Sequence, residues 1–281
     1  MPNVPAVYTV DVKRHESPDG IRAAGGRHNA GSSVADRARG LGTHHPARRH
    51  HEGARIEAAV GARIDFEDAK GVALSPDGTS LAFVGIDTAG RTSLWIRRLD
   101  SNIPRQLAET DGAEYPFWSP DSRFLAFFQD GKLRRIDVGG GPVQSLADAP
   151  EGRGGSWGSA GGIVFAPSFG GGIYQVPEAG GTPVQVTRLD TALREETHRW
   201  PYFLPDGRRF LFLSRSSQDE KTGIYLASLD SKDRPRVAST KSNAVYAAPG
   251  YIIFIRENSL MAQPFSASSC EVRGDAFPIA S

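Results

Sequence analysis

A short turn that recurs at a nearly constant spacing constrains this chain more than any other feature. Its first copy, Ser75-Pro76-Asp77-Gly78, lies between the apolar stretches 72–74 and 81–84. Proline presets φ at the second turn position, Asp tolerates the third and Gly leaves the turn freely, so the stretch is predicted to be a β-hairpin. Pro120-Asp121-Ser122 follows 44 residues after Pro76, and Pro205-Asp206-Gly207 follows 85 residues, about two periods, after Pro120.

Two weaker copies complete the series. Residues 156–162 occupy the skipped position, where Trp157 aligns with Trp118, and Pro249-Gly250 comes 44 residues after Pro205. In each unit the turn leads to a strongly apolar strand, a polar loop and a third strand. Four of the units also carry a weaker fourth strand. The structural repeat is therefore the whole unit of strands, not the hairpin alone.

Four short antiparallel strands in each 40–50 residues are typical of a β-propeller blade. Blades pack face to face around an axis, which explains why these strands are continuously apolar instead of alternating. An immunoglobulin-type sandwich would not repeat one turn at a fixed period. We therefore predict an all-β fold, a β-propeller of about five four-stranded blades, with approximate limits 71–112, 113–152, 153–197, 198–242 and 243–281.

The first 53 residues differ from the rest. They contain six of the seven histidines amid Arg, Gly and Ala, and Tyr8 is their only aromatic residue. Such a segment buries too little apolar surface to offset its ordering entropy, so residues 1–53 are predicted to be disordered and the propeller to occupy 54–281. The paired histidines 44–45 and 50–51 are not completed to a metal site by a carboxylate or Cys, and no metal is predicted.

Composition excludes several classes of function. The formal net charge of +1 provides no general field for nucleic acid, and the single cysteine, Cys270, excludes an internal disulfide framework. No apolar run approaches the roughly 18–20 residues of a membrane helix, and the amino terminus lacks the features of a signal peptide. The chain is predicted to be soluble, without a nucleic-acid partner, and its compartment is left open.

Three stretches carry a resemblance to a known family. They are residues 112–122 (GAEYPFWSPDS), 198–207 (HRWPYFLPDG) and 245–251 (VYAAPGY). With the Ser-Pro-Asp-Gly turns, they make residues 55–281 similar to TolB-like, WD-type (PD-repeat) propellers, and most similar to the propellers attached to bacterial serine/threonine protein kinases. The resemblance implies a propeller that senses or binds on behalf of a kinase.

The chain departs from that family in two ways. It contains no kinase motif: there is no Gly-rich loop with a following strand lysine, no His-Arg-Asp loop and no Asp-Phe-Gly. It also has about five blades, where the family resembles six- or seven-bladed rings. Because an open ring exposes two blade faces and an unpaired edge, three alternatives remain at this point: a fragment, a ring completed by a partner or by self-association, and compact closure by five blades.

The sharpest catalytic candidate is Ser156 in Gly154-Gly155-Ser156-Trp157-Gly158, with Asp190 or Glu195 and then His198 downstream in the order of a hydrolase triad. A nucleophile elbow needs a helix after the serine, whereas residues 154–165 are interpreted as a repeat turn and a strand. The glycine runs 139–141 and 170–172 open no helix, so no phosphate-binding loop or cofactor is predicted. The chain is predicted not to be an enzyme.

The residues at the start of each blade remain as candidates for binding, because they should surround the mouth of the central channel. Aromatic residues and Arg are enriched in protein interfaces. The alternative is that the aromatics fill gaps between blades, and His198 could equally cap a neighbouring loop. The candidate set comprises Glu114, Tyr115, Arg153, Trp157, His198, Arg199, Trp200 and Tyr246.

These residues predict a non-catalytic binding or sensing module that holds a protein, peptide or small ligand at the channel mouth. The main alternative is the gating propeller of a prolyl-oligopeptidase-like serine peptidase without its hydrolase domain. A self-contained lactonase-type hydrolase is the weakest candidate, since no metal-binding cluster of Asp, Asn and Glu can be assembled around the channel.

Overall fold

The computed structural model describes residues 63–64, 71–87 and 89–280. These residues form five antiparallel sheets and one short 3-10 helix, Asp219–Lys221. The predicted all-β propeller of five four-stranded blades is confirmed. The segment predicted to be disordered, residues 1–53, lies outside the described residues.

The strands follow one another in chain order within each blade. Blade 1 contains β1 Arg63–Ile64, β2 Val72–Leu74, β3 Ser80–Ile86, β4 Thr92–Arg98 and β5 Arg105–Gln106. Blade 2 contains β6 Glu114–Trp118, β7 Phe124–Gln129, β8 Lys132–Asp137 and β9 Gln144–Asp148. Blade 3 contains β10 Gly155–Trp157, β11 Gly162–Phe165, β12 Tyr174–Pro177 and β13 Val184–Gln185.

Blade 4 contains β14 Glu195–Phe203, β15 Arg209–Ser216, β16 Gly223–Ser228 and β17 Arg236–Ala238. Blade 5 contains β18 Ala244–Ala247, β19 Tyr251–Arg256, β20 Ser259–Ser266, β21 Glu271–Val272 and β22 Phe277–Ala280. Blades 1 and 5 have a fifth strand because one position is divided: β1 and β2 both pair with β3, and β21 and β22 both pair with β20.

The first strand of each blade lies nearest the axis. Strand β6 contacts both β2 and β10, and β14 contacts both β10 and β18, so the first strands of neighbouring blades converge. The loops that enter these strands therefore gather at one end of the axis, which we call the channel mouth. The Pro-Asp turns that leave them gather at the opposite end.

The recurrent turn is held by a repeated set of side-chain hydrogen bonds. In blade 1 the Ser75 hydroxyl donates to Asp77 Oδ1 (2.5 Å) and accepts from the Ser80 backbone N–H (2.9 Å). In blade 2 the Ser119 hydroxyl donates to Asp121 Oδ1 at 2.6 Å in the same way. In blades 1 and 2 the serine thus tightens the hairpin whose Pro and Asp preset its backbone.

Neighbouring blades are joined by four apolar clusters. The first contains Leu94 and Phe127 between blades 1 and 2, and the second contains Leu133 and Phe165 between blades 2 and 3. The third, between blades 3 and 4, is built around Phe210 and Phe212, and the fourth joins blades 4 and 5 through buried residues such as Phe254. Burial of such side chains stabilises the fold by about 1.5–3 kcal/mol each.

The described residues contain no fifth apolar cluster between blades 5 and 1, and none of their strands is shared by these two blades. We call this place the seam. On blade 5, β19 turns Ile252 toward the buried cluster, while Ile255 remains 51 % exposed. On blade 1, Val72 and Leu74 are each 44 % exposed. Large apolar side chains are therefore partly exposed on β2 of blade 1 and on β19 of blade 5.

Among the described residues, no helix has the length and apolar character needed to cross a membrane.

Candidate channel-mouth site

The first strands of all five blades line a cavity of about 330 Å³ at the channel mouth. Its lining residues are Gly71, Val72, Tyr115–Phe117, Gly154, Gly155, Trp200–Tyr202, residues 241–245 and Ile255. Burial raises the pKa of the Tyr202 phenol, which therefore stays protonated at neutral pH. A concave, mostly apolar cavity where several elements meet is the usual form of a ligand site.

A larger depression of about 530 Å³ lies between the outer strands of blades 4 and 5. Arg236, Arg256 and Asp275 belong to its polar lining. Because it draws on two blades rather than five and lies away from the axis, the channel mouth is the stronger candidate.

Two aromatic residues at the mouth have a backbone conformation that is rare for their type. Tyr115 has φ 52° and Trp200 has φ 48°, and in both strands the pairing register shifts at that position. Proline follows each of them, Pro116 and Pro201. A bulky residue with positive φ is a genuine outlier, and bulges of this kind re-aim side chains beside functional sites.

Blade 3 has a glycine at the equivalent position, and this glycine makes room for Trp200. Gly154 has φ 83°, and a Cβ added there would lie 2.6 Å from Trp200 Cδ1. The Trp200 backbone N–H donates to the Arg153 carbonyl at 2.9 Å. A residue with positive φ thus recurs at this position in blades 2, 3 and 4. The indole of Trp200 lies directly against the backbone of blade 3.

Arginines from blades 3 and 4 surround an exposed phenylalanine beside this cavity. The guanidinium carbon of Arg199 lies 4.2 Å from the ring centroid of Phe169, and that of Arg153 lies 5.4 Å from the same centroid. Arg199 is buried and donates from Nε to Thr197 Oγ1 and from Nη2 to the Phe169 carbonyl. Burial, followed by the positive charges of Arg215 and Arg153, lowers the pKa of Arg199 from its ordinary value.

His198 is completely buried inside blade 4. Its Nδ1 lies 2.8 Å from Thr187 Oγ1, which accepts from the Ile173 backbone N–H. The ring Nε2 of His198 lies 2.9 Å from Glu195 Oε2. Because the ionised Glu195 carboxylate can only accept, it takes the Nε2–H of the ring, and Nδ1 of neutral His198 accepts from the Thr187 hydroxyl. The structure thus places His198 away from the channel surface, where it anchors the loop that precedes β14.

Glu195 is the centre of this buried network. It accepts from the Ser214 hydroxyl (2.8 Å), the Asp190 backbone N–H (2.7 Å) and Arg234 Nη1 (3.1 Å). Burial acts to raise the pKa of Glu195, but the hydrogen bonds from His198, the Asp190 backbone and Ser214 outweigh it and lower the pKa to about 2. Burial lowers the pKa of His198, so the pair is ionised Glu195 and neutral His198 near pH 7.

The structure separates the remaining candidate residues. Glu114 begins β6, next to Tyr115. Trp157 ends β10 at the opposite end from the mouth, where it is buried and stacks on Phe124 of blade 2 at 6.2 Å. Tyr246 is half-buried against the cluster between blades 4 and 5 and donates its hydroxyl to the Pro249 carbonyl. Trp157 and Tyr246 are therefore packed between blades, the alternative role considered for the aromatics.

Ser156 lies within strand β10, inside the segment that the sequence indicated to be a turn. The turn itself is confined to residues 158–161. The Ser156 hydroxyl accepts a hydrogen bond from the Phe203 backbone N–H at 3.0 Å, and the chain continues into β11 rather than into a helix. Cys270 is partly buried, and burial raises the pKa of its thiol. Within the described part of the chain, no three His, Cys, Asp or Glu residues are grouped to hold a metal ion.

Sequence reasoning missed Gly154, Phe169 and Arg215, which complete the surroundings of the mouth. The repeated pairing of an aromatic residue with proline, in Tyr115-Pro116 and Trp200-Pro201, is the signal that could have drawn attention to this position. Gly154 occupies the same place in blade 3 and would have followed from an alignment of the three blades.

Comparison with known proteins supports the fold. No family model and no curated protein matches the sequence. A putative TolB from Agrobacterium tumefaciens is similar with 18 % identity and a TM-score of 0.51, covering 59 % of this chain and 63 % of that one. This chain therefore spans less than two thirds of the TolB chain.

Two further solved structures are similar. The nidogen/laminin complex matches with 11 % identity and a TM-score of 0.59, covering 74 % of this chain and 79 % of the other. A puromycin-hydrolyzing peptidase from Mycobacterium tuberculosis matches with 18 % identity and a TM-score of 0.51, covering 72 % of this chain and 36 % of that one. At these identities the comparisons define the class of fold, a β-propeller of the kind found in TolB and in peptidases.

Proposed function

We propose that this propeller is a non-catalytic binding or sensing module that holds a peptide or small ligand at the channel mouth. The observation that carries the proposal is the pair Tyr115 and Trp200, which keep positive φ values at a cavity lined by all five blades. Strained aromatic residues at a shared cavity are better explained by ligand contact than by packing, because packing alone does not require a left-handed backbone.

Selection from a phage-displayed random dodecapeptide library tests this proposal. Glycine accepts positive φ without strain, so Trp200→Gly and Tyr115→Gly remove the rings and leave the backbone conformation intact. We expect a sequence motif to be enriched on the native protein and to be lost on both variants.

Tyr251→Ala is the matched control, because Tyr251 lies at the turn end of blade 5 and packs on Phe277. It should retain the selected motif. Equal enrichment on the native protein and on both glycine variants, or none on the native protein, contradicts a peptide site at the mouth.

The kinase link is part of the same proposal. It rests on the resemblance of residues 112–122 and 198–207 to kinase-attached propellers, and it makes this module the sensing part of a bacterial kinase system. A kinase domain encoded next to this segment supports the link, and an α/β-hydrolase domain there supports the alternative below.

The alternative is the gating propeller of a serine peptidase, favoured by the likeness to a peptidase whose chain is covered to 36 %. A fluorophosphonate probe distinguishes this gating role from a catalytic role for Ser156 in this chain. If the probe labels the isolated protein and the labelling is lost in Ser156→Ala, the chain itself carries a nucleophile.

Self-association through the exposed blade faces is proposed as a further property. Light scattering across a range of protein concentrations tests it, and a mass that stays that of one chain at all concentrations contradicts it.

A further inference from the structure

We propose that the arginines at the channel mouth bind an oxyanion, a carboxylate or phosphate group carried by the ligand. The inference rests on the proposed binding function and names the chemistry of one end of the ligand. The site consists of Arg153 and Arg199, whose guanidinium groups share the exposed ring of Phe169, and of Arg215, which pairs in register with Thr197 on the neighbouring strand. We call it the arginine cluster.

Within the described part of the chain, no ion pair neutralises the charges of the three arginines, whereas Arg208 pairs with Asp230 and Arg209 with Asp206 at the other end of blade 4. Like charges repel one another, and Glu196 offsets this only weakly at Arg199, so the native protein keeps an arrangement that an anion would stabilise.

Arg199 is the most buried member. It is only 6 % exposed, and the Thr197 hydroxyl and the Phe169 carbonyl accept from Nε and Nη2. Nη1 has no acceptor within the described residues, which leaves a donor of a fixed guanidinium available. Arginine recognises carboxylate and phosphate oxygens with such planar donors, and a guanidinium that is already positioned loses little entropy when it binds.

Phe169 explains how the cluster stays open. Its ring is 52 % exposed and lies under the guanidinium groups of both Arg153 and Arg199, while its backbone N–H donates to Glu151 Oε2. Stacking on the ring holds the two cations in place without neutralising them. Glu196 is the nearby carboxylate that acts on Arg199, and its effect is weaker than those of Arg215 and Arg153.

The cluster adjoins the aromatic cavity. Arg153 and Arg199 directly precede Gly154 and Trp200, both of which line it. A ligand with an apolar part in the cavity would therefore present an acidic group to the arginines. This arrangement defines an acidic peptide, or a small molecule with a carboxylate or phosphate, as the class of ligand.

Titration followed by NMR tests the inference on the whole chain. Triglutamate, inorganic phosphate and triglutamine are added separately, and the side-chain Nε–H signal of Arg199 and the indole N–H signal of Trp200 are recorded. We expect saturable shifts with triglutamate or phosphate and none with triglutamine. Raising the salt concentration should weaken the binding, because exposed charges are screened over about 10 Å at 0.1 M salt.

Arg215→Gln and Arg153→Gln should each weaken triglutamate or phosphate binding by roughly three- to tenfold, the effect of one partly exposed charge pair. Arg208→Gln is the matched control at the opposite end of blade 4 and should leave binding unchanged. Arg199→Lys retains the charge but not the planar donors, and it should bind triglutamate more weakly than the native protein.

A response to phosphate alone identifies phosphate as the source of the oxyanion, and a response to triglutamate identifies carboxylates. Equal shifts with triglutamine and triglutamate, no shift with either anion, or an equal loss in Arg208→Gln overturns the inference. If peptides still depend on Trp200 in those cases, the proposed binding function stands while the arginine cluster has no part in it.

Discussion

A close contact between blades at the mouth joins Gly154 and Trp200. Substitution by alanine adds a Cβ that would lie 2.6 Å from Trp200 Cδ1, at a position where φ is 83°. We predict that Gly154→Ala lowers the free energy of unfolding by about 2–4 kcal/mol, combining backbone strain and overpacking. Chemical denaturation measures it.

Gly78→Ala provides the control for this substitution. Gly78 also has positive φ, 70°, but a Cβ there would meet nothing within 4 Å. Gly78→Ala should therefore lower the free energy of unfolding only by the backbone strain, about 1–2 kcal/mol. Equal losses for the two variants would mean that the approach of Trp200 does not constrain residue 154.

The buried pair of Glu195 and His198 gives a prediction about pH. The ordinary pKa of His is 6.5, and burial lowers that of His198, so its contribution to stability is present above pH 6.5 and is lost as the pH falls below it. Glu195 has a pKa of about 2 against an ordinary 4.5, so its contribution is lost below about pH 4.5. Stability should decline from pH 6.5 downward, measured by urea unfolding at a series of pH values.

Removing one partner tests the same network at neutral pH. Glu195→Ala leaves Arg234 and the Ser214 hydroxyl without their acceptor, and we expect a loss of about 3–5 kcal/mol, as for other buried ionic networks. His198→Gln, by contrast, should abolish much of the decline between pH 6.5 and 5. An unchanged pH profile in that variant would show that another group is responsible.

At the scale of elements, the Pro-Asp turns are the most regular feature. The hydrogen bond from the Ser119 hydroxyl, opposed by partial burial, lowers the pKa of Asp121. We predict that Asp121→Ala costs about 1 kcal/mol at pH 7, the usual value of such a hydrogen bond. The cost should shrink as the pH falls from 3.8, the ordinary pKa of Asp, through the lower pKa of the native Asp121 carboxyl. Thermal unfolding of the native protein and of Asp121→Ala, at pH 7 and at a pH below 3.8, measures the cost at each pH.

Asp148→Ala is the matched control for the turn. Asp148 pairs with Lys132 on the surface, and its side chain is 84 % exposed. An exposed ion pair contributes little, so the change should stay within about 0.5 kcal/mol at both pH values. If Asp148→Ala lowers the free energy of unfolding as much as Asp121→Ala does, the turn hydrogen bond has no special role in stability.

The blades could be predicted because turn chemistry is local. Asp130-Gly131, for example, reads as a two-residue hairpin, and both residues have positive φ, 50° and 71°. Residues 155–157 were missed as a strand because their composition is that of a turn, whereas the contact of Ser156 with Phe203 comes from the next blade. Interactions between blades join distant segments and leave no local pattern.

The candidate site was predictable only in part for the same reason. Tyr115 and Trp200 stand out as aromatics at the start of their strands. The burial of His198 depends on Thr187, Glu195 and Arg234, which approach it from separate segments of the chain. No spacing in the sequence reveals such a network, so a histidine within a Pro-containing strand resembles a ligand contact as much as a core residue.

At the scale of the whole molecule, the seam predicts unequal effects for two isoleucines of one strand. Ile252 is completely buried toward blade 4, whereas Ile255, which lines the mouth cavity on the blade 5 side of the seam, is 51 % exposed. We expect Ile252→Ala to cost about 2–5 kcal/mol and Ile255→Ala less than about 1 kcal/mol. Denaturant unfolding of the two variants distinguishes an open seam from a closed one, because closure of blade 5 on blade 1 would make the two losses similar.

The consecutive order of strands within each blade also bears on how the protein is made. Since no described strand is shared by blades 1 and 5, each blade can complete its own hydrogen bonds before the following one has left the ribosome. Its apolar face is then covered by the next blade to emerge, as in repeat proteins whose units contact only their neighbours. Synthesis of the described blades can therefore proceed one blade at a time.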